Sequence, residues 1–224
     1  MISVAIDGPS GAGKSTIART VAEELGFLYI DTGALYRSIG LYVLRQEKDP
    51  RNEAEVVALL PMIDLALRHV DGVQQVYLNG ENVSEAIRRH EVSAAASGVS
   101  AHPAVRQFLL DLQRRFAREN NVIMDGRDIG TVVLPDAEVK IYLTASAEER
   151  ARRRVLQLAE KGENVAFEQV LQDIEKRDYD DMHRAVAPLR RAEDAVLADT
   201  SDLDLAGSID LIRNIICSRG EARA

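Results

Sequence analysis

The sequence predicts an α/β fold in which five short strands form a mostly parallel sheet with helices on both faces. Three observations predict it. Apolar runs of the fully buried kind, such as Ile2 to Ile6 and Val122 to Met124, recur along the chain. Segments of helical periodicity follow them, as in folds built from alternating strands and helices. The first run, finally, opens into a glycine-rich loop and then a helix, the local order in which parallel sheets bind phosphate.

That first stretch carries the strongest motif. Gly8-Pro9-Ser10-Gly11-Ala12-Gly13-Lys14-Ser15 fits G-x-x-x-x-G-K-[ST] at every fixed position, and Thr16 to Leu25 has an apolar stripe at Ile17, Ala18, Val21, Ala22 and Leu25. The context predicts a P-loop NTPase fold. Glycines let the backbone turn its N–H groups inward, and the helix start adds free donors and a partial positive charge. Gly8 to Thr16 are therefore expected to hold nucleotide phosphates, with Lys14 reaching the β- and γ-phosphates and Ser15 ligating Mg²⁺. The bland alternative is a glycine-rich turn between a strand and a helix.

Along the chain, Gly26 ends the first helix and Phe27 to Ile30 reads as a second strand, running into Asp31-Thr32-Gly33. Helices follow from Ala34 to Arg45 and from Glu53 to Leu60, the latter stopped near Pro61. Residues 62 to 90 differ in character. Ile63, Leu65 and Leu67 alternate with polar or small residues, Val73 to Leu78 is β-like, and Asn79-Gly80 is a strong turn signal. This predicts a small antiparallel insert, with Ser84 capping a short helix from Glu85 to Arg89. Helices resume at Glu91–Val99 and Ala104–Glu119. Asn121 to Gly126, Val139 to Leu143 and Ala195 to Ala198 supply the third, fourth and fifth strands. Helices are expected at Ala147–Glu160 and Phe167–Tyr179, joined by a turn at Lys161 to Asn164, and at Ile209–Cys217, with a frayed tail from Ser218. The expected organisation is one domain over 1–224: a core (1–31, 104–149, 186–224), an acceptor-binding region with the β insert (32–103) and a lid region (150–185).

Composition narrows the function. The chain has 224 residues and a net charge of −8, which argues against a general nucleic-acid or membrane-surface binder. Tryptophan is absent and aromatics make up only 4%, which argues against a base-stacking platform as well. Cys217 is the single cysteine and rules out an internal disulfide, as suits a reducing compartment. It reads as a small apolar residue on the last helix, with a reactive thiol as the minor alternative. No apolar run is long enough to span a membrane, and the first strand is expected to open at the N-terminus, leaving no room for a signal peptide. The expectation is a cytoplasmic protein.

In a sheet of this kind ligands bind beyond the carboxyl ends of the strands. Four of the five predicted exits carry an aspartate: Asp7, Asp31, Asp125 and Asp199. Asp125 follows an apolar run and is placed like a carboxylate that holds Mg²⁺ or its water shell, with capping as the alternative. Asp199 fits capping or turn formation better. Arg37, Arg106, Arg127, Arg177 and Arg184 fall near strand ends or in loops, and Glu149-Arg150-Ala151-Arg152-Arg153-Arg154 starts a helix. Arginine neutralises phosphate bidentately and keeps its charge when desolvated. Local basic clusters in an acidic chain suggest a small polyanion as ligand, although Arg152 and its neighbours fit a solvated helix face equally well. The histidines at 69, 90, 102 and 183 lack metal-ligand spacing and read as structural or surface residues; only His183 falls near a candidate site.

Taken together, Gly8–Thr16, Asp31-Thr32-Gly33-Ala34-Leu35-Tyr36-Arg37, Asp125-Gly126-Arg127-Asp128-Ile129-Gly130-Thr131, and Arg177-Asp178 with Arg184-Ala185-Val186-Ala187-Pro188-Leu189 resemble the bacterial cytidylate kinases. The resemblance spans nearly the whole chain and includes the β insert. It implies transfer of the γ-phosphoryl group of ATP to CMP or dCMP, with Mg²⁺, by a monomer that binds neither nucleic acid nor membrane. It implies that Ser97, Arg106 and Asp128 read the cytosine, that Arg37, Arg127 and Arg184 hold the acceptor phosphate, and that Arg177 and Asp181 approach the sugar. Thr32 stands where the family often has serine, which keeps the hydroxyl. Arg150 and Arg154 are carried over more loosely, to a short lid over ATP. The catalytic set so implied is Lys14, Arg127, Arg184 and Arg154.

The chemistry agrees with this reading. A phosphate monoester has a second pKa of about 6 and is already an anionic nucleophile near neutrality, so no general base is required. The protein must hold two polyanions in line and neutralise the transferred group. Two rival readings stay open. One is another small-molecule P-loop kinase, acting on a different nucleotide, on dephospho-coenzyme A or on a sugar acid. The other is a nucleotide-dependent switch, whose Asn-Lys-x-Asp signature is poorly matched by Glu175-Lys176-Arg177-Asp178.

Overall fold

The buried runs of the sequence become the strands of the sheet. In a computed structural model that describes residues 1–70, 73–160 and 162–221, β1 (Ser3–Asp7), β2 (Leu28–Asp31), β6 (Val122–Gly126), β7 (Val139–Thr144) and β8 (Val196–Asp199) form one five-stranded sheet. Its order is β2-β6-β1-β7-β8, with β1 parallel to β6 and β7, and β7 parallel to β8. Val4, Ala5, Ile6, Ile123, Met124, Ile141 and Leu143 are buried on both faces of their strands, which is why those strands lack polar alternation. The carboxyl ends of β1, β6 and β7 lie side by side and carry Asp7-Gly8, Asp125 to Asp128, and Thr144.

The chain divides into two compact units, Met1–Leu28 with Asn120–Ala224, and Tyr29–Glu119. The first holds β1, β6, β7, β8 and the helices α1 (Lys14–Leu25), α6 (Ala147–Glu160), α7 (Phe167–His183) and α8 (Leu205–Glu221). Ile17, Val21 and Ala22 of α1 are buried, as are Ile212 and Ile216 of α8, which packs against α1. Gly26 takes the left-handed conformation that closes α1. A second small core, Ala151, Leu158, Val170 and Ile174, joins α6 to α7.

The second unit contains α2 (Thr32–Arg45), α3 (Glu53–Leu59), α4 (His90–Val99) and α5 (Pro103–Glu119), and the antiparallel strands β3 (Leu65–Val70), β4 (Val73–Leu78) and β5 (Glu81–Asn82). Its core gathers Leu35, Ile39, Val56, Val76, Leu78, Val83, Val99, Val105 and Leu109. Gly40 sets the closeness of α2 to α4, because a Cβ there would lie 2.9 Å from the Ala96 nitrogen.

Several expected boundaries move for identifiable reasons. The helix expected from Ala34 begins at Thr32, because the Asp31 carboxylate caps it by accepting from the Ala34 N–H at 2.9 Å; such a cap is worth about 1 kcal/mol. Ser84 does not cap the segment after it. Its hydroxyl accepts from the Val76 N–H and donates to the Asn82 side chain, and only a short 3₁₀ turn forms at Ala86–Arg88. After β6 the chain makes a π turn, Ile129–Val133, where the expectation held no element. Helix α7 runs on to His183, and α8 starts at Leu205 and continues to Glu221, beyond the expected bounds. Of the calls on Lys161 and on the tail, Lys161 itself and residues 222–224 lie outside the described residues.

Candidate active site

The phosphate loop is built by backbone geometry that only glycine allows. Gly8 has φ +153°, and a Cβ there would lie 1.9 Å from the Leu143 carbonyl oxygen of the neighbouring strand. Gly13, at φ 86°, precedes α1 without any side-chain cap, so the first N–H groups of that helix remain available to an anion. Lys14 is buried and its Nζ donates to the Pro9 carbonyl at 2.7 Å, across the loop. Burial, then the nearby charge of Arg127, lower the Lys14 ammonium to about 7, against the opposing pull of Asp125, Asp7 and Asp181. A loop of inward donors around a desolvated lysine gains from an added negative charge.

Arg150 is fastened to the same loop. Its guanidinium donates to the Ser10 carbonyl at 2.8 Å, to the Ala145 carbonyl at 2.9 Å and to the Asp178 carboxylate at 2.6 Å. Its side chain is only 5% exposed, so it ties the loop to the starts of α6 and to α7. Arg154, one turn further along α6, is exposed.

Beside the loop, the Ser15 hydroxyl donates to the Asp125 carboxylate at 2.8 Å. Asp125 is buried at the end of β6, in register with Ile6 of β1. Two hard oxygens thus meet next to the loop, the donor type that Mg²⁺ accepts.

The turn after Asp125 brings basic and acidic groups together. Arg127 donates through Nε to Asp181 at 2.7 Å. Arg184 donates to the Ala187 carbonyl at 2.7 Å and to Asp128 at 3.4 Å, and its other terminal nitrogen lies 4.0 Å from Asp181. Burial alone raises Asp181, but Arg127, Arg177 and Arg184 outweigh it and hold the carboxyl below its usual range. Arg177 itself is exposed on α7. Lys14, Ser15, Asp125, Arg127, Asp128, Arg150, Asp181 and Arg184 therefore all cluster within the first unit.

Two residues of this cluster were not assigned a role from sequence. Asp7, noted only as a strand exit, accepts from the Ile129 and Gly130 N–H groups, each at 2.7 Å. Asp178, quoted only as part of a motif, anchors Arg150. A carboxylate beside an arginine cluster was legible; which arginine it would meet was not.

Thr32, Arg37, Ser97 and Arg106 lie in the second unit. Thr32 is buried in the first turn of α2. Arg37, one turn on, pairs with Asp31 at 2.6 Å. Arg106 of α5 donates to the Ser100 carbonyl at 3.2 Å and stands over the Tyr36 ring, 5.5 Å from its centroid. Ser97 is exposed on α4.

Other expectations are simpler. His183 is exposed and stacks on Tyr179, and His102 is buried with its Nε2 2.9 Å from the Pro50 carbonyl oxygen. Cys217 is exposed on α8. Among the described residues no helix is long and apolar enough to cross a membrane.

Comparison with known proteins places these features in a family. The cytidylate kinase family profile matches residues 4–218. A cytidylate kinase of Caldicellulosiruptor bescii is 52% identical over 204 residues, covering 91% of this chain and 90% of the relative. One from Geobacter sulfurreducens is 47% identical over 219 residues, covering 98% and 94%. A crystal structure of an uncharacterized protein from Eubacterium ventriosum superposes with a TM-score of 0.57 at 14% identity, over 97% of this chain and 99% of that one, a likeness of fold. A P-loop sheet with a basic cluster beside it, and a match along almost its full length, identify the chain as a nucleoside monophosphate kinase belonging to the cytidylate kinase family.

Proposed function

We propose that this enzyme uses ATP and Mg²⁺ and that its acceptors are CMP and dCMP. The observation that carries the reading is the pairing of the phosphate loop with the turn Asp125-Gly126-Arg127-Asp128, at adjacent strand ends in one unit. In the proposed roles, Gly8 to Thr16 bind the ATP phosphates, with Lys14 on the β- and γ-groups. Ser15 and Asp125 would hold Mg²⁺, which when bound neutralises phosphate charge. Arg127 and Arg184 take the acceptor phosphate, Asp128 accepts from the cytosine amino group, and Arg177 and Asp181 serve the sugar. Thr32, Arg37, Ser97 and Arg106 are assigned to the monophosphate on the family resemblance, as are Arg150 and Arg154 to the ATP side. The functional division into core, acceptor-binding region and lid follows the sequence boundaries given above, and the enzyme acts as a cytoplasmic monomer.

The reaction needs no added base. An oxygen of the acceptor dianion attacks the γ-phosphorus, the bond from that phosphorus to the bridging oxygen breaks, and ADP leaves with the electron pair. The arginines and Lys14 offset charge on the transferred group, and their fixed positions remove the entropy cost of alignment. Arg127 and Arg184 already face carboxylates in this structure, so an acceptor phosphate would exchange one anionic partner for another. A coupled ADP-release assay with CMP, dCMP, UMP, AMP and GMP tests the reading. Stimulation by CMP and dCMP above the others is expected; equal stimulation by UMP or AMP would point to a different nucleotide kinase.

A further inference from the structure

We infer that Asp7 is a positioning residue for the acceptor side of the site: its carboxylate fixes the turn that carries Arg127 and Asp128. The inference rests on the proposed role of those two residues toward the acceptor. Asp7 ends β1, and its two carboxylate oxygens accept separately from the consecutive N–H groups of Ile129 and Gly130, both at 2.7 Å. Consecutive backbone N–H groups turned to one side form an anion-binding nest. Here a side chain of the protein fills it, 122 positions away in sequence.

The placement is costly for a mere cap. Asp7 is 5% exposed, and burial raises its carboxyl to about 6 although both N–H groups pull it down. Asp128 adds repulsion and Lys14 attraction. The turn is also closely packed beside that contact: a Cβ on Gly130 would lie 3.3 Å from the Lys140 side chain and 3.4 Å from an Asp7 oxygen. Asp128 also belongs to the turn through its backbone, its carbonyl accepting from the N–H groups of Val132 and Val133. The turn therefore cannot rotate without breaking the Asp7 contacts, and rotation would carry Asp128 and Arg127 with it. The phosphate loop has its own supports, in Lys14 to Pro9 and Arg150 to Ser10, and Asp7 reaches it only through its charge on Lys14, so loss of Asp7 should act more strongly on the acceptor than on ATP.

Steady-state kinetics at about pH 8, where the acceptor phosphate is a dianion, separate the possibilities. Wild-type protein is first assayed with CMP; absence of activity would overturn the substrate reading and this inference with it. Asp7→Asn keeps the size but presents an amide NH₂ to one of the two N–H groups. It is expected to raise KM for CMP about tenfold or more and to lower kcat, with a clearly smaller rise in KM for ATP, through the lost charge beside Lys14. Gly130→Ala crowds the same contact, between the Asp7 carboxylate and the Lys140 side chain, and serves should Asp7→Asn fail to fold. It should show the same asymmetry in weaker form. Equal rises in both KM values, or no change in KM for CMP, would overturn the inference.

Discussion

Lys14 provides the most direct measurement. Burial, and then Arg127, lower its ammonium to about 7 in the free protein, against an ordinary value near 10.4. The β- and γ-phosphates of ATP add negative charge beside it and should restore the ordinary range. At about pH 8 only about a tenth of the free protein carries this proton, while nearly all of the complex does, so binding should take up about 0.9 proton per ATP. At about pH 7 the uptake should fall to about 0.5. The sign follows: as pH rises above about 7, the free protein must first recover a proton, and ATP affinity should fall by nearly tenfold per pH unit. Calorimetric titration of ATP with Mg²⁺, without acceptor, in buffers of different protonation heat reads the uptake directly. The Lys14→Ala variant should show almost none. Uptake below about 0.2 proton in the wild type at about pH 8 would refute the assignment of the titrating group and of the lowered value.

Three further outcomes are expected. Asp128→Asn should narrow the preference for CMP over UMP by about tenfold, because it removes the carboxylate proposed to accept from the cytosine amino group; an unchanged ratio in the ADP-release assay would move base reading elsewhere. Gly8→Ala should cost about 3 kcal/mol or more in urea unfolding, since a Cβ would sit 1.9 Å from the Leu143 oxygen and the φ of +153° suits glycine alone. Gly40→Ala gains about 1 kcal/mol of helix propensity but presses 2.9 Å on the Ala96 nitrogen. Overpacking should win, and a raised urea midpoint would show instead that α4 yields.

The sheet was legible because its strands are buried on both faces, and uninterrupted apolar runs such as Val122 to Met124 have few other uses. The insert was legible from Asn79-Gly80, which forms the turn between β4 and β5. The π turn at Ile129–Val133 left no trace in the sequence, because it is held by Asp7 from another strand and not by local periodicity. Ser84 misled for a related reason: a serine before a short helix is a good cap in isolation, but here β4 supplies a competing N–H. At the site, the glycine-loop motif put Lys14 forward as a candidate, and the end of an apolar run put forward Asp125 and Arg127. Their ionic partners on α7, Asp178 and Asp181, depend on how α7 meets the strand ends, and spacing alone does not encode that.

One feature of the chain path bears on how such an enzyme could diversify. Residues 29–119 are a single uninterrupted stretch, and the first unit closes across the gap it leaves: the Leu28 N–H donates to the Asn121 carbonyl at 2.8 Å. The points of departure and return are thus hydrogen-bonded neighbours at one corner of the sheet. Recombination after Asp31 and before Asn120 could replace the intervening stretch by a cassette of another length while β2 keeps its place in the sheet. The half that carries the phosphate loop would then be a reusable chassis, open to exchange of the segment that carries Arg37 and Arg106.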